Sequence, residues 1–143
     1  MDLKNVKYLE SFQDWGIPKE NSLIIGSAVM ALYGIRSNVD LDVLVAIPTF
    51  LSLRFEWGLD LVHGKHSGLF KYQNHLRTFE IYGQGQHPCI FGSCVLTKAI
   101  LQKSINVDGY NFLTLKDLLA FKQRRMRPYD IEDIKLINGF VND

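Results

Sequence analysis

Two aspartates separated by a single residue are the first feature of this sequence that could do chemistry. Asp40 and Asp42 flank Leu41, and residues 41 to 46 have the apolar character of a short buried strand. Alternate residues of a strand project from the same face, so the two carboxylates would stand side by side. Two such charges repel each other unless a cation lies between them, and a hard divalent ion such as Mg²⁺ or Mn²⁺ meets that need. A solvated strand end with two acids would give the same pattern, so the pair requires further support.

A turn suited to phosphate binding precedes the pair. Residues 23 to 25 are an apolar run that leads directly into Gly26 and Ser27, and residues 28 to 33 suit a helix with Ser27 as its N-cap and Gly34 as its stop. A glycine lets backbone amides approach a phosphate closely, and the serine hydroxyl and the helix start add donors and a favourable dipole. Strand, turn, helix and aspartate pair therefore form one ordered unit.

This unit resembles the signature of the nucleotidyltransferases of the DNA polymerase β-like superfamily. Segment 36–42 (Arg-Ser-Asn-Val-Asp-Leu-Asp) further resembles the Arg-x-Thr-x-Asp-x-Asp form of the abortive-infection toxin-like branch, with Asn38 where threonine is usual. The resemblance implies metal-binding and catalytic roles for the aspartates and contacts to the triphosphate from the turn and the arginine. The residues concerned are Asp40 and Asp42 for the metal, and Gly26, Ser27 and Arg36 for the phosphates.

The family requires a third carboxylate on a neighbouring strand, and the sequence offers Glu80 and Asp60, each between apolar residues. We prefer Glu80 as the third metal-binding and catalytic carboxylate, because its distance from the aspartate pair suits the family layout. Its neighbours Phe79 and Ile81 can enter the core while Glu80 takes the other face. Glutamate is less usual than aspartate at this place, and Asp60 stays as the alternative.

Lys122 is the only charge on an apolar stripe of a predicted C-terminal helix, whose other members are Leu115, Leu119 and Met126. It would either extend to water along its aliphatic stem or reach a triphosphate in the cleft. Segment 127–133 (Arg-Pro-Tyr-Asp-Ile-Glu-Asp) resembles the closing Arg-x-Lys-Asp-x-x-Asp motif of the same family, with Tyr129 in place of lysine. The resemblance thus covers residues 23 to 46 and 113 to 138, and between them rests on Glu80 alone.

The elements that must position these residues follow from apolar periodicity and from turn and cap signals. Predicted strands cover residues 23–25, 41–46, 59–63, 69–73 and 78–82, with a further β stretch over 90–95. Predicted helices cover residues 3–15, 28–33, 49–57, 114–126 and 128–141, while residues 98–103 are either a short helix or irregular. Thr114 has capping-box character, and Pro128 suits the first turn of the last helix.

Composition limits the classes of protein to consider. The 143 residues, 47% hydrophobic and 22% charged, predict one domain over residues 1–143. A net charge of +1 lacks the excess of an extended nucleic-acid binder, so an RNA partner would be met locally, by the basic run 122–127. Without a long apolar run or disulfide framework, we expect a cytoplasmic protein with no membrane partner and with Cys89 and Cys94 reduced.

Together these features predict a minimal nucleotidyltransferase fold of the α/β or α+β class, with a short mixed sheet, flanking helices and two C-terminal helices. The predicted transferase moves a nucleoside monophosphate from ATP or another nucleoside triphosphate to a hydroxyl acceptor on RNA, such as a tRNA end, or on protein. One alternative is an inactive nucleotidyltransferase-like antitoxin or binding module, and another is an aminoglycoside-type transferase for small molecules. Chemistry is favoured because a binding module has no need of three like charges around an empty site. The oligomeric state is left open.

Overall fold

The computed structural model describes residues 1–46, 48–49, 52, 61–63, 70–73, 79–82, 96 and 98–143, with the backbone alone for residue 15 and for the strands between 61 and 82. The strands are β1 (Ser22–Ile25), β2 (Leu41–Val45), β3 (Leu61–His63), β4 (Phe70–Gln73), β5 (Phe79–Tyr82), β6 (Ile105–Val107) and β7 (Tyr110–Phe112). The α-helices are α1 (Ser11–Trp15), α2 (Ser27–Leu32), α3 (Lys98–Lys103), α4 (Leu115–Arg125) and α5 (Pro128–Asn142). Short 3-10 helices cover Leu3–Asn5 and Lys19–Asn21.

The seven strands form one mixed sheet in the order β3-β4-β5-β2-β1-β7-β6. β2 pairs antiparallel with β1 and parallel with β5, and β1 pairs parallel with β7. Every residue of β1 is buried, and in β2 only Asp42 is not. Strands β1 and β2 are therefore apolar and buried except at Asp42, whose carboxylate is partly exposed.

The core lies between this sheet and the helices. All residues of α2 after Ser27 are buried, and they are small or aliphatic, so the helix packs closely against β1 and β2. The helix ends in a Schellman motif, in which Gly34 has φ 74° and the amides of Gly34 and Ile35 donate to Ala31 and Met30. Both C-terminal helices contribute to the same core, through Leu118 and Phe121 of α4 and Ile137 of α5.

The structure confirms a mixed α and β fold with flanking helices and two C-terminal helices. The predicted strands at 23–25, 41–46, 59–63, 69–73 and 78–82 correspond to β1 to β5, and α3 occupies residues 98–103. Thr114 caps α4 by accepting from the Asp117 amide at 3.1 Å, and Pro128 is the first residue of α5. The β stretch over 90–95, most of the helix over 49–57 and Asp60 lie outside the described residues.

The prediction of one helix over residues 3–15 is wrong. A 3-10 turn at Leu3–Asn5 is followed by Tyr8 with φ 73°, and regular helix begins only at Ser11. The backbone N–H and C=O of Lys7 bond to the Asn38 side chain, at 3.0 and 3.1 Å, instead of continuing a helix. A tertiary contact thus overrides the local apolar periodicity.

The hairpin of β6 and β7 was not predicted, although the sequence contains its signal. Asp108 and Gly109 connect the two strands with φ values of 50° and 90°. Two consecutive residues with positive φ make a tight hairpin turn that matches the twist of the strands, and Asp-Gly is a favoured pair for it. The hairpin joins the sheet through the parallel pairing of β7 with β1.

Candidate active site

The turn between β1 and α2 lies against the carboxylate of Asp42. Gly26 has φ 70° and ψ −149°, and a Cβ atom at this position would come within 2.8 Å of Asp42 Oδ2. Both the backbone conformation and this close approach require glycine. Gly26 is also the N-cap of α2, so the prediction of Ser27 as the cap is wrong, and Ser27 is instead the first, partly exposed residue of the helix.

Asp42 occupies a central position in the sheet. Its register partners are Ile25 on β1 and Glu80 on β5. Its side chain is partly exposed, while its Oδ1 atom is buried. The Gly26 turn therefore adjoins Asp42 on one side, and the backbone position of Glu80 adjoins it on the other.

Asp40 stands one residue before β2, in a bend rather than in the strand, and it is partly exposed. The bend is held by Asn38, which is buried and donates to the backbone oxygen of Asp40 at 3.0 Å. The same amide group bonds to the backbone of Lys7. From the sequence, Asn38 was noted only as a departure from the threonine of the resembling family. Its role in anchoring this loop was not predicted.

Arg36 forms a bidentate ion pair with Asp133 of α5. Its Nε and Nη2 atoms lie 2.8 and 2.9 Å from Asp133 Oδ1 and Oδ2, and Nη1 donates to the Ser37 carbonyl at 3.0 Å. The hydrogen bond to Asp133 and the charges of Asp133 and Asp40 raise the pKa of Arg36 despite partial burial. The guanidinium thus carries its positive charge in the field of Asp40, with 29% of the side chain exposed.

Lys122 is buried, with 4% of its side chain exposed, so of the two alternatives for this residue the extension to water is excluded. Its Nζ atom lies 2.9 Å from Asp133 Oδ2 and 3.3 Å from Asp130 Oδ1. A buried ammonium requires such partners because desolvation penalises its charge. The predicted contact between Lys122 and a triphosphate stays a prediction, and Lys122 is linked to Arg36 through Asp133.

Asp130 is fully buried and is held by the end of α4. Arg125 contacts it with two nitrogens, at 2.9 and 2.7 Å, and the Arg127 backbone N–H donates to it at 2.8 Å. Burial alone would raise the pKa of Asp130, but the hydrogen bonds from Arg125 and Arg127 and the charges of Arg125 and Lys122 together lower it to about 2. The sequence indicates Asp130 only as a member of the closing motif. Its spacing of three from Asp133, opposite the basic end of α4, was the available signal.

The basic run 122–127 offers fewer surface charges than its composition suggests. Lys122 is buried and Arg125 is engaged with Asp130, whereas Arg124 and Arg127 are exposed. The Nη1 atom of Arg127 also lies 2.6 Å from the Tyr129 hydroxyl. The local patch for a polyanionic partner is therefore reduced to Arg124 and Arg127.

The donors available around the Gly26 turn are oxygen atoms, which suits Mg²⁺ or Mn²⁺. Among the residues whose side chains are described, no group of three carboxylate, histidine or cysteine side chains is placed to hold a metal ion. That observation does not reach the predicted triad, because Glu80 is described by its backbone alone. Asp40, Asp42 and Glu80 remain the residues that would hold the ion.

Comparisons with protein-family models, with curated proteins and with solved structures find no match to this chain. No helix in the described part of the chain is long and apolar enough to cross a membrane. We therefore infer function from the geometry of the site and from the resemblance of its motifs.

Proposed function

We propose that the protein is a metal-dependent nucleotidyltransferase that transfers a nucleoside monophosphate from a nucleoside triphosphate to a hydroxyl acceptor. The observation that carries the proposal is the contact between the Gly26 turn and the Asp42 carboxylate in the middle of the sheet. The register that pairs Glu80 with Asp42 supports it from the other side. A phosphate-type turn and two carboxylate positions thus lie together beside the one partly exposed residue of the otherwise buried strands β1 and β2.

Each residue has a defined part in this proposal. The phosphates bind to the backbone around Gly26 and to the Ser27 hydroxyl. They can approach the backbone closely because Gly26 has no side chain. Asp40, Asp42 and Glu80 hold the metal, which when bound supplies charge neutralisation at the phosphates and a lowered pKa at the acceptor hydroxyl. The acceptor hydroxyl releases its proton to solvent, and its oxygen forms a bond to the α-phosphorus as the bond to the leaving pyrophosphate breaks.

Arg36 supplies the positive charge on the protein side. Its guanidinium is held by Asp133 and lies in the field of Asp40, and part of the side chain is exposed. A planar group with several donors suits phosphate oxygens better than an ammonium does. Among the described residues, we therefore assign Arg36 as the cation that contacts the triphosphate. Lys122 is linked to it through Asp133.

The test is calorimetric titration of the protein with Mg²⁺ and each nucleoside triphosphate. Asp40→Asn, Asp42→Asn in one chain keeps the side-chain shapes but removes both charges, so we expect metal-dependent binding to disappear. The matched control is Glu132→Gln, which neutralises an exposed carboxylate on α5 and should bind as the wild type does. Thermal unfolding of both variants verifies that they fold. Equal binding by the double variant and the control would refute the proposed site.

A further inference from the structure

Five charged residues form one connected cluster where the loop after α2 meets α4 and α5. This buried charge network consists of Arg36, Lys122, Arg125, Asp130 and Asp133. Lys122 and the two aspartates are each at least 95% removed from solvent, while the arginines at its two ends are partly exposed. With three cations and two carboxylates, the network carries one excess positive charge.

The geometry around Asp133 fixes the orientation of Arg36. One carboxylate oxygen accepts Arg36 Nε at 2.8 Å, and the other accepts both Arg36 Nη2 and Lys122 Nζ at 2.9 Å. A two-point pair between planar groups sets direction as well as distance, which a single ion pair does not. Asp133 is itself immobilised, because it is buried on a 15-residue helix and is held by Lys122 from the neighbouring helix.

The two carboxylates of the network have different partners. Asp130 contacts Arg125 and Lys122 at the end of α4 and the backbone of Arg127, the N-cap of α5, whereas Asp133 reaches across to Arg36. Removing either carboxylate disturbs the buried charges, but only removal of Asp133 takes away the group that orients Arg36. The chain therefore contains its own matched control.

We propose that Asp133 is a positioning residue that holds the Arg36 guanidinium at the candidate active site, with the buried ammonium of Lys122 fixing Asp133 in turn. The guanidinium is bound along one edge by the carboxylate and donates from Nη1 to the carbonyl of Ser37, three residues before Asp40. Its remaining N–H groups are the donors that we assign to the triphosphate. The triphosphate as ligand rests on the proposed function, whereas the placement of Arg36 by Asp133 can be measured in protein without nucleotide.

The first measurement is the dissociation constant of Mg²⁺-ATP for four variants. Arg36→Gln and Asp133→Asn are each expected to weaken binding about tenfold, as loss of a hydrogen bond to a charged group does. Asp130→Asn should change it less than about twofold, even if it destabilises the fold as much. If Asp133 acts through Arg36, the variant with both Arg36→Gln and Asp133→Asn binds no more weakly than Arg36→Gln alone.

The second measurement is the Arg36 Nε–H resonance in ¹⁵N-labelled protein without nucleotide. It should exchange slowly in the wild type and in Asp130→Asn and be lost in Asp133→Asn. If Asp133→Asn does not fold, Asp133→Glu takes its place, because it keeps the charge and moves the carboxylate by one methylene. It should then weaken binding when Arg36 is present and not in the Arg36→Gln background.

The outcomes separate this inference from the proposed function. If the wild-type protein binds no triphosphate in the presence of Mg²⁺, the proposed function is refuted. The Arg36 resonance alone then tests whether Asp133 positions Arg36. An unchanged Arg36 resonance in the Asp133 variant overturns the inference. It is equally overturned if Asp130→Asn weakens binding as much as Asp133→Asn, or if the effects of Arg36→Gln and Asp133→Asn add.

Discussion

Gly26 meets two constraints at once, a backbone conformation that side chains disfavour and a carboxylate so near that a Cβ atom would lie 2.8 Å from it. Gly34, at the other end of α2, meets only the first, because a Cβ there would have Asn5 Nδ2 as its nearest neighbour at 3.7 Å. The two glycines share a positive φ, 70° and 74°, but Gly26 also has ψ −149° and the Asp42 carboxylate beside it. Gly34 therefore serves as the control for a positive φ at the other end of α2.

We expect Gly26→Ala to lower the free energy of unfolding by about 3 kcal/mol or more, since strain and the clash with Asp42 add. Gly34→Ala should lower it by about 1 kcal/mol, from positive φ alone. Urea denaturation measures both changes. Calorimetry with Mg²⁺-triphosphate should show loss of binding only for Gly26→Ala, because only that variant displaces Asp42. Similar effects of the two substitutions on binding would contradict the assigned contact.

The third carboxylate is tested by Glu80→Gln. We expect this change to abolish nucleotidyl transfer and to leave triphosphate binding largely intact, because it removes a ligand on the acceptor side. Asp60→Asn serves as the comparison and should do much less. Transfer of label from an α-labelled nucleotide measures both variants. The reverse ranking would show that Asp60 supplies the third ligand.

At the scale of elements, α4 and α5 are joined by charges that are buried with their partners. Packed helices normally meet through apolar side chains, and Leu118, Phe121 and Ile137 of these two helices all belong to the hydrophobic core. Within it, Asp130 and Asp133 are kept ionised by hydrogen bonds from cations, which lower the pKa of both against the effect of burial. The packing of these two helices is therefore sensitive to acid.

The sign of that dependence follows from the lowered pKa values. A carboxyl group with a lower pKa when folded stabilises the protein above its unfolded value, and this stabilisation is lost as pH falls toward the folded value. The pKa of Asp130 falls from 3.8 to about 2, which corresponds to about 2 kcal/mol. Urea unfolding between pH 5 and about pH 2 should show this loss, and Asp130→Asn should flatten it. An equally steep pH dependence in that variant would contradict the role given to Asp130.

At the scale of the whole molecule, the proposed function requires an acceptor that can reach the site. The net charge of +1 disfavours a long nucleic-acid track, and the exposed cations near the end of α4 are Arg124 and Arg127. A polyanionic acceptor would therefore be held by a few local contacts, each sensitive to salt. An RNA end fits this description better than a small sugar, and a protein hydroxyl is the other acceptor that we consider.

Incubation with Mg²⁺, each α-labelled nucleoside triphosphate and total cellular RNA and protein identifies the acceptor. We expect label on RNA, reduced about tenfold or more when Arg124→Gln and Arg127→Gln are combined at physiological salt. Lys116→Gln, an exposed change on the same helix, is the control. Label on protein alone would redirect the proposal to protein nucleotidylylation. No label with any nucleotide, together with no binding, would favour an inactive binding module.

The sequence by itself determined what depends on neighbouring residues. Several features could be predicted from short-range patterns, because their signals span only a few residues. They are the strand before Gly26, the Thr114 cap, Pro128 at the start of α5, and the strands that carry Asp42 and Glu80. The Asp108-Gly109 turn belongs to the same class and was overlooked. The mixed α and β class follows from these elements together.

Only the tertiary structure decided which side chains meet. Arg36 pairs with Asp133, which lies 97 residues later, and no local pattern contains that contact. The partners of Lys122 could not be predicted from the sequence. An apolar helix face indicates only that the lysine is buried or extends to water. It does not reveal that two carboxylates of the next helix form ion pairs with it. The break in the first helix has the same origin, since the side chain of Asn38 takes the hydrogen bonds of Lys7 that a helix would have used.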